Sequence, residues 1–141
     1  MTAAVIPFRY EAATRRRRVL AIDDDAGLLD MLALLLAQSP LELRTARDGK
    51  AGFEVASTWD PDLILLDLNM PDVDGTAFLE RYRESAAPRA PIVLLTGAID
   101  GLARAMELGV SMYLAKPFDL DTLVDMVGEY ASETKTGAAL G

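Results

Sequence analysis

Short apolar runs alternate with helical patterns along the central part of the chain. The apolar runs predict five strands, at residues 18–22, 41–45, 62–67, 91–96 and 111–115. Segments with apolar residues at helical spacing follow each strand, at residues 26–38, 49–58, 76–84, 100–108 and 119–130. The chain between its two ends therefore consists of five successive β/α units.

This alternation predicts the fold class. Nearly unbroken apolar strands are typical of a parallel sheet that is covered on both faces. Short connections between strands and helices imply right-handed crossovers. We expect an α/β fold with a doubly wound, five-stranded parallel sheet and helices on both faces. In such folds, ligands bind at the carboxyl ends of the strands.

The composition excludes several kinds of chemistry. The 141 residues are typical of one domain and include neither cysteine nor histidine. Disulfide scaffolds, zinc fingers, thiol nucleophiles and histidine-based catalysis are therefore excluded. The lack of cysteine fits a cytoplasmic protein. No apolar run approaches the roughly 18 residues of a membrane span, so no membrane association is expected.

Charge is distributed unevenly along the chain. The net charge is −8, yet residues 1–18 contain five arginines and one glutamate. The acidic remainder is a poor nonspecific ligand for nucleic acid, and we expect no direct DNA binding. The arginine run at 15–18 is interpreted as the place where a solvated basic leader, over residues 1–16, enters the first strand. Residues 132–141 are predicted to form a flexible tail.

Polar residues stand at the carboxyl ends of four predicted strands. The first strand ends at Asp23 and Asp24, the third at Asp67, the fourth at Thr96, and Lys116 follows the fifth. Parallel strands bring these ends to one edge of the sheet. Several carboxylates at one point repel each other unless a cation compensates. Carboxylate oxygens without histidine suit Mg²⁺ better than zinc or copper.

This set of residues is suited to phosphoryl transfer. A carboxylate beside Mg²⁺ can attack phosphorus and become an acyl phosphate, while the metal and a lysine neutralise the transferring oxygens. The hydroxyl of Thr96 can then bond a phosphoryl oxygen. Acids at strand ends also commonly cap the next helix, a role that we expect for Asp25.

Four segments resemble the defining segments of response-regulator receiver domains, including the single-domain chemotaxis-type regulators. They are Ala21–Asp25, Leu65–Gly75, Leu94–Gly97 and Tyr113–Phe118. The resemblance covers residues 17–131, which are taken as the receiver domain. It implies a flavodoxin-like strand order of 2-1-3-4-5.

The resemblance also implies a phosphoacceptor and a metal site. Asp67 would accept the phosphoryl group from a sensor histidine kinase or a histidine phosphotransfer protein. Asp24 and Asp67 would bind Mg²⁺ directly, Asp23 would do so mainly through water, and Asn69 would offer its backbone carbonyl. Such a domain is a switch and not an enzyme in the usual sense.

A third implication concerns the response to phosphorylation. Thr96 and Lys116 would bond the phosphoryl group, and a cis peptide bond between Lys116 and Pro117 would aim the lysine. Thr96 and Tyr113 resemble the switch pair of the family. Their movement would alter the face formed by the fourth helix, fifth strand and fifth helix, where an unidentified downstream protein or a second copy would bind.

The spacing before the lysine departs from the family pattern. Nineteen residues, from Gly97 to Ala115, separate Thr96 from Lys116. This is two fewer than in most family members. We place the shortage in the loop after the fourth strand or in the first turn of the fourth helix, which belongs to the expected output surface.

The first helix is unusually apolar. We expect a core-facing stripe of Leu28, Met31, Leu32, Leu35 and Leu36. The opposite face then carries Leu29, Ala33, Leu34 and Ala37. Such a patch indicates a partner, either the phosphodonor domain or a second copy in a homodimer. The alternative is cover by the leader, through Val5, Ile6, Phe8 and Tyr10.

Two other functions compete with the phosphoacceptor switch. A small hydrolase resembling the haloacid-dehalogenase superfamily would use Asp23 and Asp25, but its late acidic pair and cap domain are missing. A receiver-like binding module would never be phosphorylated. The residues after Tyr130 are too few for a DNA-binding or enzymatic effector, so the chain is expected to be a stand-alone receiver or a segment of a longer protein.

Overall fold

The computed structural model describes residues 16–68, 75–85, 90–97, 101–110, 112–116, 118–119 and 121–127. The strands are β1 (Arg17–Ile22), β2 (Leu41–Ala46), β3 (Leu63–Asp67), β4 (Ile92–Gly97) and β5 (Met112–Lys116). The helices are α1 (Ala26–Leu36), α2 (Gly49–Trp59), α3 (Gly75–Arg83) and α4 (Gly101–Leu108), with α5 described over residues 121–127. Each predicted element is present, and the described ends agree with the prediction to within two residues.

The five strands form one parallel sheet in the order β2-β1-β3-β4-β5. The predicted fold class and strand order are therefore confirmed. Ile22 at the end of β1 is paired with Leu66 in β3, and Asp67 is paired with Leu95 in β4. This register brings the carboxyl ends of the three central strands to nearly the same level.

A separate apolar core lies on each face of the sheet. Alternate residues of a strand point to opposite faces, and the two cores divide β3 accordingly. Leu63 and Leu65 pack with α1 and α5, while Ile64 and Leu66 pack with α2, α3 and α4. All four are fully buried, and each contributes roughly 2 kcal/mol through the hydrophobic effect. This explains why the predicted strand is apolar without interruption.

Local polar groups define the ends of the helices. Asp25 caps α1 as predicted, because its side chain accepts the N–H of Leu28 at 3.1 Å. Asp48 caps α2 in the same way through the N–H of Ala51 at 2.7 Å. Gly109 follows α4 with a φ of +69°, a left-handed conformation that favours glycine at the end of a helix.

The predicted core-facing stripe of α1 was partly wrong. Leu29, Leu32 and Leu36 are buried, whereas Met31 and Leu35 are 47% and 40% exposed. The helix is thus rotated by about 60° from the predicted orientation. Because apolar residues occupy most positions of α1, helical spacing is compatible with several rotations, and packing against the sheet selects one of them.

Several predictions fall outside the described residues. These are the leader apart from Arg16, the tail at 132–141, Asn69, and the peptide bond to Pro117. Among the described residues, no helix is long and apolar enough to cross a membrane.

Candidate functional site

Three carboxylates meet at the carboxyl ends of β1 and β3. Asp23 and Asp24 follow β1, and Asp67 is the last residue of β3. Oxygen atoms from all three side chains lie within 4.8 Å of one another. Asp23 and Asp67 are buried, and Asp24 is half-buried. The cluster results from topology, because β1 and β3 are neighbours in the sheet although β2 separates them in the chain.

Lys116 reaches this cluster from the far side of the sheet. It ends β5, yet its Nζ atom lies 2.9 Å from Asp23 Oδ2 and 3.5 Å from Asp67 Oδ2. Burial lowers the pKa of Lys116, but the hydrogen bond from Lys116 to Asp23 and the charges of Asp23 and Asp67 outweigh it. The pKa is therefore raised above the ordinary value of 10.5, and the lysine is charged at neutral pH.

Asp23 is the most tightly fixed of the three acids. Its Oδ1 accepts the backbone N–H of Asp25 at 2.9 Å, and its Oδ2 accepts Lys116. The backbone N–H of Asp23 donates to the carbonyl of Ala46 in β2 at 3.0 Å. Since both carboxylate oxygens are already bonded, Asp23 orients the lysine and the start of α1.

The charges of this cluster do not balance. Three carboxylates face one lysine, so two negative charges are in excess when all three acids are ionised. Crowded acids of this kind are stabilised by a divalent cation. Oxygen-only ligands match Mg²⁺, which prefers carboxylates and water. The donor set of Asp23, Asp24 and Asp67 therefore fits the predicted ion.

Thr96 and Tyr113 lie against the first turn of α4. Thr96 is buried at the end of β4, and its hydroxyl donates to the carbonyl of Gly97 over a long 3.4 Å. Tyr113 is paired with Leu94 and packs against the core on the α4 face. The structure therefore brings the acids and Lys116 together and places Thr96 at the next strand end.

Gly101 also shapes the surroundings of Thr96 and Tyr113, although no sequence pattern pointed to it. A Cβ atom at this position would lie 2.8 Å from Tyr113 Cδ2 and 2.9 Å from Thr96 Cγ2. Only glycine therefore allows both side chains to pack against the first turn of α4 as they do here. The sequence shows a glycine near the predicted start of this helix, but it does not show which side chains approach that glycine.

Comparison with known proteins identifies the family of the chain. The sequence model of the response regulator receiver domain matches residues 19–128. The chain is 32% identical over 120 residues to the cell cycle response regulator CtrA of Brucella ovis, an alignment that covers 84% of this chain and 51% of that relative. The chain therefore belongs to the response regulator receiver domain family.

Solved structures share its fold. The Francisella response regulator 1452 receiver domain superimposes with a TM-score of 0.74 at 26% identity, over 84% of this chain and 98% of that chain. The chemotaxis protein CheY4 of Vibrio cholerae gives a TM-score of 0.72 at 28% identity, over 81% and 98%. The chain spans about half the length of the curated relatives it matches.

Proposed function

We propose that Asp67 is the phosphoacceptor of a two-component phosphorelay, with Mg²⁺ held by Asp24 and Asp67 and, through water, by Asp23. The backbone carbonyl of Asn69 is a further proposed ligand. A sensor histidine kinase or a histidine phosphotransfer protein would supply the phosphoryl group. The relatives in Brucella, Francisella and Vibrio favour a bacterial source, and the lack of cysteine fits the cytoplasm.

The position of Lys116 is the main support for this proposal. Its ammonium group bridges Asp23 and Asp67, which belong to two other strands. A phosphoryl group on Asp67 would thus form within reach of a fixed positive charge. A carboxylate cluster with a merely structural role would not need an excess of acid.

The proposed transfer forms one bond and breaks one. A carboxylate oxygen of Asp67 bonds to phosphorus, and the bond from phosphorus to the donor imidazole nitrogen breaks, with its electron pair left on the nitrogen. Lys116 balances charge on the transferring oxygens. When bound, Mg²⁺ supplies further positive charge to the same oxygens. The product is an acyl phosphate on Asp67.

Thr96 and Tyr113 would couple phosphorylation of Asp67 to a conformational change at the protein surface. The long bond from Thr96 to Gly97 is weak, so its hydroxyl can donate to a phosphoryl oxygen instead. Movement of Thr96 would free space for the ring of Tyr113. The adjoining helix α4 exposes Leu102 and Met106 by 58% and 72%, which suits contact with a downstream protein.

Labelling with acetyl phosphate tests this function. Wild-type protein with Mg²⁺ should gain the mass of one phosphoryl group, and Asp67→Asn should gain none. Asp30→Asn, on the exposed side of α1, is the matched control and should label normally. Label on Asp23 with rapid turnover would indicate a hydrolase. No label from acetyl phosphate or from the authentic kinase would leave the binding module as the function.

A further inference from the structure

The outer edge of β2 offers unpaired backbone groups. β2 is the first strand of the sheet, and no other strand of the described residues pairs with its outer side. The carbonyl of Ala46 accepts from Asp23 on the β1 side. Because backbone groups alternate in direction along a strand, Leu41, Leu43 and Thr45 present their N–H and C=O groups outward. The N–H of Leu41 already donates to Ser39 Oγ at 3.1 Å, so Leu43 and Thr45 are the positions open to a further strand. Such an edge is a template for a further strand.

Arg16 already occupies the beginning of this edge. Its guanidinium donates to the carbonyl of Leu41 at 3.1 Å and to that of Ser39 at 3.4 Å. The outward carbonyl of Leu41 is therefore satisfied by the residue at which the described chain begins. The segment that precedes Arg16 joins the chain at the amino end of β1, within reach of this edge.

A groove of about 490 Å³ adjoins the same edge. Its walls include Arg16, the five residues 41–45 of β2, Val55 from α2, Ala33 and Leu36 from α1, and Ala37 directly after α1. Apolar side chains from both sides of the sheet edge therefore line a space beside unpaired backbone groups. An extended, alternately apolar segment fits these two features better than a helix does.

Residues 6–11 have that character. Ile6, Phe8 and Tyr10 alternate with Pro7, Arg9 and Glu11, and β-branched and aromatic residues favour strands. Pro7 is compatible with an outermost strand, because one side of such a strand makes no ladder hydrogen bonds. We propose that residues 6–11 dock on the outer edge of β2 as a sixth, antiparallel strand, with their apolar side chains in the groove.

The length of the chain agrees with this placement. β2 has six residues, as does the docking segment. The connection of residues 12–15 can span about 13 Å when extended. It must cross two strand spacings, about 10 Å, to pass from β2's outer side to β1. Because the segment must then enter β1 at the amino end of the sheet, it runs antiparallel to β2.

A spin label on the full chain tests the proposal. The protein has no cysteine, so Arg9→Cys provides a single attachment site on the polar side of the segment. In isotope-labelled protein, we expect strong paramagnetic broadening of the Leu43 and Thr45 amide signals and much weaker broadening at Val93, which lies four strands away in β4. A second sample mixes protein that carries the spin label but no isotope with protein that carries the isotope but no spin label. In this mixture the broadening should disappear, because only contacts between molecules could cause it.

Variants of the segment provide the control. Ile6→Asp with Phe8→Asp should abolish the broadening and accelerate hydrogen exchange at Leu43 and Thr45 at least tenfold. The control double substitution, Arg9→Ser with Glu11→Ser, should leave the hydrogen-exchange rates of Leu43 and Thr45 unchanged. Broadening that persists in the mixture would show that a second copy occupies the edge, and uniform weak broadening would show that no segment does. Either result would overturn the proposal.

Discussion

Two polar clusters at opposite ends of the sheet contain similar residues and differ in their charge balance. At the amino end, the N–H of Arg18 donates to Asp62 Oδ2 at 2.8 Å, and the N–H of Asp62 donates to the Arg18 carbonyl at 2.7 Å. The Arg18 guanidinium donates to the Trp59 carbonyl and lies 5.6 Å from the centre of its ring. One acid and one base are thus fixed by the backbone.

The carboxyl end has a different arrangement. Three acids meet there, a single lysine contacts two of them, and the excess charge raises the free energy of the folded protein. A cluster that only joins strands gains nothing from such an excess. We infer that charge balance, and not residue type, distinguishes the structural cluster at one end from the binding cluster at the other.

Removing one acid from each cluster should give the largest difference in the free energy of unfolding between the two clusters. Asp62→Ala should lower the free energy of unfolding by about 2–3 kcal/mol, because it removes the carboxylate that accepts the half-buried N–H of Arg18. Asp67→Ala should change it by less than about 1 kcal/mol, since relief of repulsion offsets the small void. Urea unfolding in EDTA measures both. Equal losses would contradict the distinction between the clusters.

Added Mg²⁺ should act on one cluster only. At ten times its dissociation constant, the ion should raise the free energy of unfolding of the wild type by about 1.4 kcal/mol, because it binds the folded state. Asp24→Asn should lose most of this gain, whereas Asp30→Asn should keep it. The same urea titration with and without Mg²⁺ provides the measurement. A gain that survives in Asp24→Asn would place the ion elsewhere.

The sequence was sufficient to predict the elements and the meeting of the site residues. The strands are apolar throughout because both faces are covered, so their limits were visible. The parallel topology then determined that Asp67 and Lys116 share one edge of the sheet. These predictions needed only the order of residues along the chain and the rules of βα connection.

Details of side-chain packing could not be predicted in the same way. Leucines at most positions of α1 left its rotation open, and Leu29 rather than Met31 became buried. The contact of Gly101 with Thr96 and Tyr113 depends on distances of a few tenths of an ångström. The shorter distance of Lys116 to Asp23 than to Asp67 likewise depends on the final geometry.

The rotation of α1 also determines which of its apolar residues are exposed. Leu34 is 76% exposed and adjoins the exposed Met31 and Leu35, so an apolar stripe remains on the outside of the helix. Ala33 and Ala37 belong instead to the groove beside β2. The prediction of one outer patch was therefore partly wrong, because Leu29 is buried against the sheet, Leu34 is exposed, and the two alanines line the groove.

Alkaline pH should change the stability that the carboxyl-end cluster provides but not that of the amino-end cluster, and this difference should be the smallest of the three. The raised pKa of Lys116 means that its stabilising contribution is complete below about pH 10.5 and is lost as pH rises through the higher folded-state value. In EDTA, wild type should be more stable than Lys116→Met at pH 8, and the gap should narrow above pH 10.5. The amino-end cluster of Arg18, Asp62 and Trp59 has no lysine, so it should not contribute to the change. A gap that is constant from pH 8 to 11.5 would mean that the charge of Lys116 does not stabilise the carboxylates, and the carboxyl-end cluster would then lack the cation that the proposed transfer requires.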